Sequence, residues 1–350
     1  MNGPVAPGSP PRRRWGLVLG GGGVLGGAWL VGALAALQEV HGLDPRDAEF
    51  IVGTSAGSVT AALLGAGVGV QDLRAHQLGQ RPGDPRLAAA SWDYDTATGG
   101  QHPPRPHFHP GSAALVTRNM SRLRRMPPTA VLAALLPEGR GSLEAVGALV
   151  AGLVPTGWAP HPGVRVVALD YLSGRRAVFG DHAAPPADLP DAVMASCAIP
   201  GWYAPVTIGG RRYVDGGAWS ATSADVLAGL ELEEVFVLAP TVSFAVDRPA
   251  SLLERAERRW RVQVTRRCLR EVEKLHRLGT EVTVLGPGPE DLVAMGSNLM
   301  AAQRRREVLE TSLRTSVAAL VDPEPLAQMS PGESAGQPGP AGPRHYPEAG

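Results

Sequence analysis

Residues 15–27 read WGLVLGGGGVLGG and residues 49–57 read EFIVGTSAG. In each, an apolar run of strand length gives way to glycine and then to a run with helical spacing. Trp15 to Gly20 reads as a strand, and Gly26 to Val40 as a helix whose apolar face carries Leu30, Leu34 and Leu37. Glu49 to Gly53 reads as a second strand and Ser55 to Leu64 as a second helix. Further strands are expected at 164–169, 175–179, 211–214, 235–239 and 282–285, with helices between many of them. That alternation predicts an α/β domain around a largely parallel sheet.

The second junction contains Gly53-Thr54-Ser55-Ala56-Gly57. A serine at the tip of a strand-to-helix turn exposes its hydroxyl, and the tight crossing leaves room only for glycine two residues to either side. In a chain with 44 glycines, chance supplies roughly 0.3 such pentapeptides, so its place between strand and helix carries the weight. Ser55 is the candidate nucleophile of an acyl hydrolase.

The first junction admits two readings. Gly21-x-Gly23-x-x-Gly26 satisfies the fingerprint of a dinucleotide site, in which amides at a helix N-terminus hold a pyrophosphate. A nicotinamide-binding oxidoreductase would use it so. The same unshielded amides would stabilise the oxyanion of a tetrahedral acyl intermediate. A dinucleotide site wants an acidic residue ending the second strand, yet that strand ends in Gly53-Thr54-Ser55, while Asp44, Asp47 and Glu49 precede or open it. A Walker-type loop is excluded, because Lys274 is the only lysine in the chain.

Serine needs a neighbour to take its proton. Downstream, His276 lies in an arginine-rich helix and His345 in a Pro/Gly-rich tail, while His102, His107 and His109 cluster in a proline-rich surface loop. A histidine triad is poorly served. Tyr213-Val214-Asp215-Gly216-Gly217 offers a carboxylate at a strand end, followed by two glycines that permit close approach.

Taken in order, Gly21-Gly22-Gly23-Val24-Leu25-Gly26, Gly53-Thr54-Ser55-Ala56-Gly57 and Asp215-Gly216-Gly217 resemble the patatin-like phospholipase family. The stretch from Ala195 to Pro205 is similar to the family's Ala-Ser-x-Ala-x-Pro segment. The resemblance covers roughly residues 15 to 240. It implies a three-layer α/β/α sandwich and a Ser-Asp dyad without histidine. On this chain it implies Ser55 as nucleophile, Asp215 as base and the amides of Gly21, Gly22 and Gly23 as oxyanion hole, with Gly26, Gly53, Gly57, Gly216 and Gly217 as motif glycines. The family usually carries Arg or Lys where this chain has Leu25, a departure that keeps a non-catalytic lipid-binding relative in view. The implied substrate is a lipid or small ester, with neither metal nor cofactor required.

The remaining composition is neutral. Thirty-three basic residues balance 33 acidic ones, so no global field points to nucleic acid or a membrane. Cys197 and Cys268 match no metal or redox spacing and read as reduced core residues. Residues 1–14 and 323–350 are rich in Pro, Gly and Ser and are expected to be disordered, bounding one domain at 15–322. Within it the motifs lie at 15–240 and a helical part at 247–320.

The longest helix is expected from Ser251, in capping-box spacing with Glu254, to Leu278. Its core stripe would be Leu253, Ala256, Trp260, Val264, Cys268, Val272, Leu275 and Leu278. Arg258, Arg259, Arg266, Arg267 and Arg270 would form a solvated face, with lipid headgroups as the second reading. No run of about 18 uninterrupted apolar residues and no clean signal peptide is present, so a cytoplasmic protein is expected, with peripheral membrane contact left open.

Overall fold

Alternate side chains on the central strands enter two different cores. On β1 (Trp15–Leu19), Leu17 and Leu19 face one core and Val18 the other; on β2 (Phe50–Thr54), Ile51 and Val52 divide the same way. Both faces of the sheet are therefore covered, as strands apolar on both sides require. This is a three-layer α/β/α fold, seen here in a computed structural model that describes residues 13–322 apart from 91, 95, 99, 101, 103, 122–125 and 245–251.

The other strands are β3 (Val164–Asp170), β4 (Arg176–Phe179), β5 (Val206–Ile208), β6 (Arg211–Asp215), β7 (Glu234–Leu238) and β8 (Glu281–Leu285). The helices are α1 (Gly23–His41), α2 (Ala56–Gly65), α3 (Val70–Gln77), α4 (Pro85–Ala89), α5 (Ala113–Arg118), α6 (Pro128–Leu135), α7 (Glu144–Ala151), α8 (Leu189–Cys197), α9 (Leu252–His276), α10 (Pro289–Met295) and α11 (Arg305–Val321). The first core takes Leu34 of α1, Leu63 of α2, Val150 of α7, Val193 of α8 and Leu309 of α11. The second takes Cys268, Val272 and Leu275 of α9.

Strand order is β5-β6-β3-β2-β1-β7-β8. Neighbours from β3 through β8 along that order are parallel, whereas β4 and β6 pair antiparallel with β3 and β5 antiparallel with β6. Register places the site. β2 and β4 both pair with Val166 and Val167, so they lie on opposite edges of β3; β4 and β6 both pair with Ala168 and Leu169, so they too lie on opposite edges. Hence β2 and β6 share one edge of β3 and run toward each other. Thr54 opposite Val167 and Asp215 opposite Ala168 are where they meet.

Several sequence expectations shift. Helix α1 begins at Gly23 rather than Gly26, through a glycine with φ of 63°. The three-residue β5 was not expected, and the strands at 175–179 and 211–214 turn out antiparallel. Arg13 and Arg14, placed in the N-terminal tail, pair with Glu234 and Glu281 and with Glu49. The remainder of both tails, and the Ser251–Glu254 capping box, fall outside the described residues.

On α9 the buried stripe is rotated. Trp260 (39 % exposed) and Leu278 (58 %) leave the core, while Arg261 (1 %), Thr265 and Glu271 enter it. The cause is polar satisfaction. Arg261 donates to the Pro240 carbonyl at 2.9 Å and to Glu257, and Glu271 accepts from Thr222, from the Ala224 amide and from Arg267. Arg267, expected on the solvated face, also lies 5.4 Å over the Trp219 ring.

Among the described residues only α1 is long and apolar enough to cross a bilayer, yet it is mostly buried as the central helix of the first core. α11 lies against it through Gly32, where a Cβ would stand 2.6 Å from the Leu309 carbonyl oxygen. Gly32→Val should therefore overpack this contact by about 1–3 kcal/mol and lower Tm by several degrees. An unchanged Tm in thermal unfolding would show that the two helices do not meet there.

Candidate active site

Parallel β1 and β2 are neighbours, so the loops leaving their C-terminal ends lie side by side. Ser55 leaves β2 with φ of 53° and ψ of −125°, a conformation few non-glycine residues hold and one that costs about 1–3 kcal/mol. The turn is fixed from several sides. The Ser55 amide donates to Ser196 Oγ at 2.9 Å, Ser196 Oγ donates to the Val167 carbonyl at 2.6 Å, and the Ser55 carbonyl accepts from Ser58 Oγ at 2.7 Å. The flanking glycines are steric necessities: a Cβ on Gly57 would lie 1.9 Å from the Leu19 carbonyl oxygen, and one on Gly53 2.5 Å from that of Gly57.

Asp215 arrives from β6. Its carboxylate, 5 % exposed, accepts the Gly217 amide at 2.7 Å. Burial pushes its pKa up to about 6, with the neighbouring Ser55 hydroxyl and the Gly217 amide opposing the shift. Gly216 lets the chain turn past β3, since a Cβ there would lie 2.4 Å from the Val167 carbonyl oxygen. The candidate nucleophile and base, 160 residues apart in sequence, are thus brought together. Among the described residues no histidine hydrogen-bonds to Ser55 or Asp215; His107 and His109 stack on each other in an exposed loop, and His276 is exposed on α9.

The glycine loop stands opposite. Gly21 does not belong with Gly22 and Gly23 as an amide donor, because its N–H is already given to the Ala221 carbonyl at 2.8 Å. Its part is proximity: a Cβ there would sit 3.2 Å from Ser55 Cβ. The amides of Gly22 and Gly23 have no backbone acceptor among the described residues, as expected at the start of α1. Gly26 packs on Pro240, and Leu25 is fully buried with its amide donated to Leu299. Arg261 braces the carbonyl of Pro240 from behind. At the far end of β2, Glu49 pairs with Arg14, so the acid that a dinucleotide ribose would require is at the wrong end of the strand.

Beside Ser55 opens a cavity between α1, α2, α3 and α7, its walls including Val31, Val59, Leu63, Leu73, Val146 and Leu149. An apolar chain fits this chemistry. Among the described residues no group of histidine, cysteine and acidic side chains could hold a metal ion. Cys197 and Cys268 are free and buried, and burial pushes both thiols up.

Sequence reasoning passed over Ser196 as a functional residue, although it stands in the quoted Ala195–Pro205 segment. A buried serine before a proline turn has no local signature of its partner 141 residues away.

The sequence matches the patatin-like phospholipase family profile over residues 17–228, more than half of the chain. The chain belongs to the patatin-like phospholipases, a family of lipid acyl hydrolases. No functionally curated protein shows significant sequence similarity to it. Among solved structures it is similar to VipD from Legionella pneumophila at 14 % identity and a TM-score of 0.42, covering 89 % of this chain and 67 % of VipD. It is also similar to the type III effector protein ExoU at 19 % identity and a TM-score of 0.34, covering 92 % of this chain and 54 % of ExoU.

Ser196→Ala leaves the buried Ser55 amide unpaired at a cost of about 1–3 kcal/mol and loosens the turn. Turnover of a p-nitrophenyl ester should fall by about tenfold, with a much smaller change in KM. Unaltered kcat would show that Ser196 does not hold the turn.

Proposed function

We propose that the chain hydrolyses carboxylic esters of lipid-like substrates through a Ser55–Asp215 dyad. The observation that carries this reading is that the end of β6 brings a buried Asp215, its pKa raised to about 6 by burial, up to Ser55 on its strained turn at the end of β2. A carboxylate with that proton affinity is a far better base near neutral pH than an exposed one.

In the first step Asp215 accepts the Ser55 proton while Oγ bonds to the acyl carbon. The carbonyl π pair moves to oxygen, where the amides of Gly22 and Gly23 stabilise the negative charge. Collapse expels the alcohol, which takes the proton from Asp215 and leaves an acyl-serine. Water then attacks with Asp215 again accepting a proton; the acid departs and Ser55 Oγ is reprotonated. The apolar cavity beside Ser55 receives the acyl chain. Leu25 gives the glycine loop no cation, so stabilisation of the oxyanion rests on backbone dipoles.

Because the base must be ionised, kcat/KM for a p-nitrophenyl ester should rise about tenfold per pH unit below about 6 and level off above it. Asp215→Asn should lower it by about 100- to 10,000-fold. A profile flat through pH 6, or an Asp215→Asn protein of native activity, would rule the dyad out.

The same shift has a cost in stability. Since the folded-state pKa lies above the unfolded value, the native state favours the protonated acid; relative stability is full below about pH 4 and is lost as pH rises through about 6. The penalty at higher pH is on the order of 3 kcal/mol. Asp215→Asn should therefore melt several degrees above the native protein at pH 8, with the advantage disappearing near pH 4. Equal melting temperatures at pH 8 would show that the carboxylate is not desolvated.

A further inference from the structure

One wall of the apolar cavity is not apolar. His76 and Gln77, at the end of α3, line it together with Trp92 and Tyr94. His76, Trp92 and Tyr94 form one ring cluster, with centroid separations of 6.1, 5.4 and 5.5 Å. Tyr94 Oη lies 2.7 Å from His76 Nδ1, and the Arg305 guanidinium lies 3.6 Å over the Tyr94 ring. Burial, with the nearby Arg305 charge, lowers the His76 pKa to about 4, so the imidazole is neutral at physiological pH.

Three polar atoms on this wall are buried and have no hydrogen-bond partner among the described residues: His76 Nε2, Gln77 Oε1 and Trp92 Nε1. Leaving such groups unpaired is costly, and native proteins keep few of them. Three on lining residues of one cavity, beside the nucleophile, call for a ligand group that both donates and accepts. Trp92 Nε1 only donates, and Gln77 Oε1 only accepts. When Tyr94 donates to Nδ1, His76 Nε2 carries the ring proton and donates as well.

Position narrows the ligand further. Gly23, Gly27 and Val31 are four residues apart on α1 and also line the cavity. A Cβ on Gly27 would lie 3.7 Å from Gln77 Nε2 and 3.9 Å from Ala56 Cβ, so the Gln77 amide faces Gly27 beside the residue that follows Ser55. Gly27 is one helical turn, about 6 Å, beyond Gly23.

We propose that the cavity selects an acyl chain bearing a hydroxyl roughly one helical turn from the scissile carbonyl, bound by Gln77, Trp92 and His76. The hydroxyl donates to Gln77 Oε1 and accepts from Trp92 Nε1 or His76 Nε2. An unsubstituted chain would leave all three unpaired. The proposal rests on the reading of Ser55 as the nucleophile that receives this chain.

The test compares the p-nitrophenyl ester of octanoic acid with a series of hydroxyoctanoic esters whose hydroxyl is stepped along the chain. Native protein should favour one positional isomer by about tenfold in kcat/KM, the effect of one good hydrogen bond. Gln77→Leu and Trp92→Phe should each reduce that ratio, and together bring it to about one, in variants that retain the native circular-dichroism spectrum. No preferred isomer, or a preference that survives in the folded double variant, overturns the proposal.

Thermal stabilisation of Ser55→Ala by the free acids separates the two readings. If native protein cleaves no ester but Ser55→Ala is stabilised by one hydroxyoctanoate and not by octanoate, the cavity stands and the hydrolase falls. If the esters are cleaved without discrimination and the acids stabilise equally, the hydrolase stands and the hydroxyl site falls.

Discussion

The meeting of β2 and β6 end to end along one edge of β3 is the constraint on which the candidate site depends. Parallel pairing of β2 delivers Ser55 to the C-terminal side of the sheet. Only a strand running the other way could deliver a carboxylate to the same point from beyond β2, and antiparallel β6 does so with Asp215 as its last residue. The glycine loop then needs no separate device, because β1 is the parallel neighbour of β2 and its exit lies alongside.

The arrangement is held against its own preferences. Ser55 occupies a backbone conformation that is unfavourable in isolation, and Asp215 ionises in surroundings that oppose its charge. The hydrogen bond of the Ser55 amide to Ser196, that of Ser58 to the Ser55 carbonyl and the close approaches at Gly53, Gly57 and Gly216 leave the turn no relaxed alternative. Strain and desolvation at the reacting groups are offset by two large apolar cores on the faces of the sheet. The family to which the chain belongs hydrolyses lipid acyl groups, and acyl transfer to Ser55 is the proposal that this turn supports.

Much of this was legible in local sequence, because each of the three motifs is a turn whose residue types follow from its own backbone. The glycines around Ser55 and after Asp215 announce close crossings, and short apolar runs announce strands buried on both faces. What stayed hidden depends on distant partners. Gly21 reads like its neighbours until Ala221, two hundred residues on, takes its amide. Arg267 reads as part of a solvated face until Glu271 and the Trp219 ring engage it. Strand direction at β4 and β6, and the wall formed by His76, Gln77 and Trp92, are set by tertiary packing that no spacing encodes.

The most direct test of Ser55 as nucleophile is covalent capture by a fluorophosphonate, with the modified residue located by peptide mass spectrometry. A single phosphonyl adduct on Ser55, lost in Ser55→Ala and strongly slowed in Asp215→Asn, is the expected result. An unmodified Ser55, or an adduct on another residue that persists in Ser55→Ala, would contradict it.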